Sequence, residues 1–151
     1  RWQGKMLHCV DPWEPYPHMP YDRTLDMIAA AVTLTPYVDR CRLIRARSPE
    51  IARYLAEFKP GFVYIDGNHD YQFAAADIEA WWPILPSGGI LAGHDYCEAA
   101  RGVRQAVDEF AEQQDLIIQL TNDSPASWYT EKLILLLALR GCVPAWHRGL
   151  L

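Results

Sequence analysis

The chain has 151 residues, half of them apolar and 22% charged, which fits one folded domain with a real core. A formal net charge of −5 excludes a general nucleic-acid-binding surface. The apolar run Lys132–Leu139 is far too short to span a bilayer, and no secretory leader is visible.

Lys5–Asp11 (KMLHCVD) reads as a strand that ends on an acid. Pro12–Pro20 follows with four prolines, Trp13, Tyr16 and His18, a density that rules out helix and inner strand. Such a rigid aromatic loop is either a substrate wall or a packed connection. Tyr21–Leu34 carries Leu25, Ile28, Ala29 and Val32 at helical spacing. Cys41–Ala46 is the next strand. Ser48-Pro49-Glu50 is a helix start, with Ser at the cap, Pro in the first turn and an acid after it. That helix runs to about Phe58, and Lys59-Pro60-Gly61 breaks it.

Phe62–Ile65 is a strand without polar alternation, as expected when helices cover both faces. Tyr71–Trp82 is helical, with Phe73, Ala76, Ile78 and Trp81-Trp82 on its apolar face. Pro83 and Pro86-Ser87-Gly88-Gly89 end it, and the two glycines suit a tight turn. They are not a phosphate loop, because no GK[ST] follows and a strand comes next. Ile90–Gly93 is that strand. Ala99–Gln113 is a helix with Val103, Ala106, Val107 and Phe110 on one stripe. Leu116–Leu120 and Lys132–Leu139 close the chain as strands, with Asn122–Pro125 and Trp128 in the loop between them; Trp128 reads as a packing residue ahead of a lid or substrate contact. The alternation predicts an α/β fold: a Rossmann-like, mainly parallel sheet with helices on both faces and an antiparallel C-terminal strand. No domain boundary is visible, so residues 1–151 read as a single domain.

Cys9, Cys41, Cys97 and Cys142 form no CxxC pair or zinc-like spacing, which reads as four reduced thiols in a cytoplasmic protein. Arg40, Arg42, Arg45 and Arg47 form the one basic cluster. It is either a charged edge strand or an anion contact.

The chemistry concentrates between Phe62 and Tyr96. One strand ends on Asp66-Gly67-Asn68-His69-Asp70 and the next on His94-Asp95. Parallel strands joined by a helix point their C-terminal ends the same way, and ligands bind at that edge of an open α/β sheet. Asp66, His69, His94 and Asp95 are therefore expected to share a crevice. Carboxylate and imidazole together suit a divalent ion or general acid–base work. Asp70 sits where a helix cap belongs. Asp11 is either a ribose-binding acid or a loop cap.

The run IDGNHDY, followed by DIEAWWPIL, PSGGILAGHDY and GVRQAVDEF, resembles class I S-adenosylmethionine-dependent methyltransferases. The subgroup it is most similar to is that of small-molecule and sugar O-methyltransferases. The resemblance spans nearly the whole chain and implies an S-adenosylmethionine cofactor and a small-molecule acceptor. It matches Asp11 to the acid that holds the cofactor ribose and Ser48 to the position lining the adenine. Asp66 matches the acid after the fourth family strand, counted both beside the cofactor and as a metal ligand. With His94 and Asp95 it would hold Mg2+ or another divalent ion. His69 or His94 would deprotonate the acceptor hydroxyl.

In the family's strand order, 3-2-1-4-5-7-6, this chain begins at the second strand. The first strand and its glycine-rich loop are missing from it. Three accounts follow: a lost N-terminal segment, direct pairing of the flanking strands, or another chain filling the gap. A homo-oligomer is one form of the last. Two rival functions accompany the main one. One is a truncated, non-catalytic module for partner binding or self-association. The other is a metal-dependent hydrolase or oxygenase using His69, His94 and a carboxylate.

Overall fold

The structure is a computed structural model and describes residues 6–16 and 19–133. It divides into two units, residues 1–51 and 52–151.

The first unit holds β1 (Leu7–Asp11), α1 (Thr24–Leu34) and β2 (Cys41–Arg45). β1 and β2 are parallel, in register from Leu7 opposite Cys41 to Asp11 opposite Arg45. The helix between them is thus a crossover, as the sequence predicts. Its apolar stripe behaves differently from expectation. Leu25, Ile28 and Val32 are all exposed, and α1 buries no residue. The spacing makes a helix, but nothing among the described residues covers that face. α2 (Ser48–Leu55) starts one position earlier than the cap reading implies. The Arg47 carbonyl accepts from the Glu50 and Ile51 N–H groups, so Ser48 is the first helical residue.

The second unit holds β3 (Phe62–Ile65), α3 (Tyr71–Trp81), β4 (Ile90–Tyr96), α4 (Arg101–Gln114), β5 (Gln119–Leu120) and β6 (Ala126–Glu131). Its sheet has the order β3-β4-β6-β5. β3 and β4 are parallel; β6 is antiparallel to both β4 and β5. This is the expected mixed α/β arrangement with an antiparallel C-terminal strand. The first unit's sheet is the two-stranded β1-β2 pair.

Register explains the core. Val63, Leu91 and Thr130 lie side by side on one face, as do Ile65, Gly93 and Trp128. Val63, Leu91, Thr130 and Trp128 are buried, together with Ile78 and Trp81 from α3 and Val107 and Phe110 from α4. Phe62 and Tyr64 point to the other face and are 59% and 45% exposed. β3 therefore alternates, against the expectation that both its faces would be covered. The sequence looks continuous because the exposed positions are aromatic.

The C-terminal end holds a strand that the sequence reading leaves as loop, β6 at Ala126–Glu131, while residues 134–139 of the strand expected over Lys132–Leu139 lie outside those described. Trp128, expected in a loop, is in the middle of β6 and 1% exposed. Its alternation with Thr130 is the strand signal, masked by the Asn122–Pro125 turn just before it. α4 ends on Asp115 in the left-handed region, where the Leu116 N–H bonds to the Ala111 carbonyl and closes the last turn.

Candidate functional site

The site is built at the C-terminal ends of β3 and β4. After Ile65 the chain turns through Asp66-Gly67-Asn68, and the Asn68 Oδ1 accepts from the Asp70 N–H at 2.8 Å. That side-chain turn delivers His69 just before α3. Asp70 holds the cap position as expected, in extended conformation, though its side chain makes no capping hydrogen bond. Beneath this loop, Asp77 of α3 is buried, with Oδ2 3.4 Å from where a Gly67 Cβ would stand.

β4 continues past Gly93, its expected end, to Tyr96. Its pairing with β6 shifts between Gly93 and Tyr96, which makes a bulge of His94-Asp95. Bulges re-aim side chains at sheet ends. Asp95 sits at φ 59°, a conformation that costs a non-glycine residue energy, and the Cys97 N–H bonds to its carbonyl at 2.8 Å.

The result is a convergence. His69 Nε2 lies 2.8 Å from Asp95 Oδ2, and His94 Nδ1 lies 3.3 Å from Asp95 Oδ1. One ligand atom each from Asp66, His69 and Asp95 falls within 4.8 Å of the others. Asp66 and His69 are exposed, while Asp95 is 16% exposed. A small cavity of about 10 Å³ adjoins them, floored by Ile65, Ala74, Ile78, Val103 and Trp128. The four expected residues thus share one crevice. The metal grouping differs in one member: His69 stands with Asp66 and Asp95, whereas His94 touches only the outer oxygen of Asp95.

Two residues escape sequence reasoning. Gly102 on α4 packs so closely that a Cβ there would be 2.3 Å from the His69 carbonyl and 2.4 Å from the Tyr71 nitrogen. Its only sequence signal is a lone glycine in a helical pattern. The second is missed only in its placement: Trp128 packs, as the sequence favours, but from within β6, where its indole lies over Gly93 and a Gly93 Cβ would meet it at 2.7 Å. At the end of β4, the Tyr96 hydroxyl donates to Asp108 at 2.6 Å. Burial first, and then Asp108, push its phenol above the ordinary value.

In the first unit, Asp11 ends β1 as expected but is already engaged. Its Oδ1 accepts from the Trp13 N–H at 2.5 Å, and Arg23 bridges both oxygens at 3.2 Å. Ser48 is half-buried at the head of α2. The arginine cluster is partly spent locally: Arg45 donates to the Pro12 carbonyl and Arg47 pairs with Glu14.

Residues 2–96 match the family described as a methyltransferase domain, well over half of the chain. The chain belongs to the methyltransferase-domain family. Solved methyltransferases share the fold of this family member. It superposes on an O-methyltransferase from Bacillus cereus in complex with S-adenosylhomocysteine at TM-score 0.57 and 14% identity, covering 84% of this chain and 63% of that one. For a TDP-rhamnose 3'-O-methyltransferase of calicheamicin biosynthesis the values are 0.57, 21%, 83% and 58%. For a Corynebacterium glutamicum protein they are 0.62, 16%, 85% and 61%. This methyltransferase-family chain therefore spans about three-fifths of the length of these structures. A comparison with curated proteins finds no match. None of the described helices is long and apolar enough to cross a membrane.

The family implies S-adenosylmethionine, and the residues fit it in part. A carboxylate offers about four acceptor positions. Asp11 has given three to Trp13 and Arg23, so a ribose diol would have to displace Arg23 from one oxygen. For a divalent ion the donor set Asp66, His69 and Asp95 fits in number and type.

Proposed function

We propose that this chain acts as an S-adenosylmethionine-dependent O-methyltransferase on a hydroxyl of a small molecule. Residues 1–151 are read as one methyltransferase-like domain. The free thiols Cys9, Cys41 and Cys97 suit the reducing cytoplasm. The observation that carries the reading is the His69–Asp95 pair at 2.8 Å, assembled from two neighbouring strand ends within this fold.

S-adenosylmethionine supplies an electrophilic methyl group on a sulfonium. The chain's own residues do the rest. Asp11 and Ser48 are assigned to the cofactor's ribose and adenine. His69 accepts the proton of the acceptor hydroxyl. Asp95 orients the imidazole and stabilises its cationic form, and His94 holds the other Asp95 oxygen. Asp66 and Asp95 would hold a divalent ion that lowers the hydroxyl's pKa. Fixing the hydroxyl in line with the methyl group is the larger task, because orientation alone removes much of the barrier.

Calorimetric titration of S-adenosylmethionine and S-adenosylhomocysteine into the chain tests the cofactor half. Binding in the micromolar range is expected, and no heat at millimolar ligand refutes it. For the chemical half, Asp66→Ala and Asp95→Ala are expected to lose most turnover on any acceptor found. Near-normal turnover in both would remove the site assignment.

A non-catalytic module is the second reading. It is favoured by the prior engagement of Asp11 with Arg23 and by the separate β1-β2 sheet.

A further inference from the structure

We infer, resting on the cofactor assignment of Asp11 proposed above, that Arg23 is a latch on the ribose-binding acid. It occupies Asp11 until a ribose diol displaces it, and Asp26 keeps hold of it when it leaves.

An ionised carboxylate accepts about four hydrogen bonds, two at each oxygen. Asp11 Oδ1 takes two, from the Trp13 N–H at 2.5 Å and from Arg23 Nη1 at 3.2 Å. Oδ2 takes one, from Arg23 Nη2 at 3.2 Å. One acceptor position is left, and a diol has two hydroxyl protons to donate. Trp13 is poorly placed to give way: its N–H is main chain, the residue is buried, and its φ of 46° is held by its surroundings. Arg23 holds Asp11 by its side chain alone, at the end of a long, rotatable stem.

A leaving arginine needs another anion, because a partly buried charge without a partner is costly. Arg23 is 15% exposed, and its Nε already donates to Asp26 Oδ2 at 3.1 Å. Asp26 lies in the first turn of α1 and is itself exposed. Moving the guanidinium off Asp11 therefore gives up two bonds and retains the third. The latch also sets a preference among ligands. A sugar with one hydroxyl in place of the diol fits the single free position with Arg23 still seated. A full diol must open it.

The test is calorimetric titration of S-adenosylhomocysteine and its 2′-deoxy analogue into the full chain and its variants, with circular dichroism confirming that each is folded. Arg23→Met is expected to bind S-adenosylhomocysteine about 10-fold more tightly than wild type, and the deoxy analogue within ~2-fold of it. Arg23→Lys keeps the charge and loses the fork, so its affinity should fall between the two; it carries the test if Arg23→Met does not fold. Asp26→Asn should weaken S-adenosylhomocysteine about 3-fold, and that effect should vanish in the Arg23→Met background. A structural role for Arg23 would leave binding unchanged or weaken it on substitution, and either result overturns the latch. Asp11→Asn should cost at least ~10-fold. Binding that Asp11→Asn leaves intact removes the cofactor assignment and the latch with it. A loss in Asp11→Asn without a gain in the Arg23 variants removes the latch alone.

Discussion

At the scale of single residues, function turns on short polar side chains at the ends of strands. His69 carries the proposed proton transfer, so His69→Gln should lower turnover by about 10²–10⁴-fold. The loss should fall on kcat more than on KM, as steady-state kinetics would show. A purely structural role would instead lower stability and leave turnover per folded molecule unchanged. Tyr96 gives a pH prediction. Its phenol is held above the usual value of about 10 by burial and by Asp108. The folded state therefore favours the protonated form. That stabilisation is complete below pH 10 or so and is lost as pH rises through the folded-state value. Asp108→Asn should bring the phenolate transition down, read by ultraviolet absorbance; an unchanged midpoint would show that burial alone sets it. Asp66, His69, His94 and Asp95 were legible in the sequence because they lie at or just past the C-terminal ends of two neighbouring strands. What was not legible is which imidazole nitrogen faces which oxygen, since a bulge and a left-handed Asp95 decide that.

At the scale of elements, close packing places the site. Gly102 lets α4 rest against the backbone between His69 and Tyr71. A methyl group there meets main-chain atoms that have nowhere to go. Gly102→Ala should cost about 1–3 kcal/mol in denaturant unfolding. It should also reduce turnover by displacing His69, although it touches no substrate. Trp128 tests the other side. Its indole fills the space over Gly93 and its nitrogen has no hydrogen-bond partner among the described residues. Trp128→Ala should cost about 3–5 kcal/mol, and Trp128→Phe distinctly less, because the indole N–H contributes no bond that phenylalanine would lose. Equal costs for the two would mean that the N–H matters more than the volume. The helices were readable from period and breakers. The β6 strand was not, because a polar, turn-rich segment precedes it.

At the scale of the whole molecule, each sheet taken by itself keeps a run of the family's strand order: β1-β2 in one, β3-β4-β6-β5 in the other. Among the described residues β3 is the edge strand of its sheet, and its face residues Phe62 and Tyr64 stack on each other and are exposed. Aromatic edges of this kind invite pairing with another chain. Concentration-dependent self-association is expected by light scattering, and Phe62→Lys should weaken it. A strict monomer at high concentration would rule out edge pairing.

The sequence alone determined the fold class, the family and the identity of the four crevice residues. Hydrophobic period, strand-end acids and turn residues are local signals, and the crossover rule extends them to one shared edge. The tertiary structure decided the rest. It gave His69 rather than His94 the place beside Asp66, spent Asp11 on Arg23, and put Trp128 in a strand rather than a loop. Those outcomes depend on register, on a one-residue bulge and on contacts between residues far apart in the chain. Such contacts leave no periodic trace in the sequence, because the packing that creates them is set only once the strands have paired.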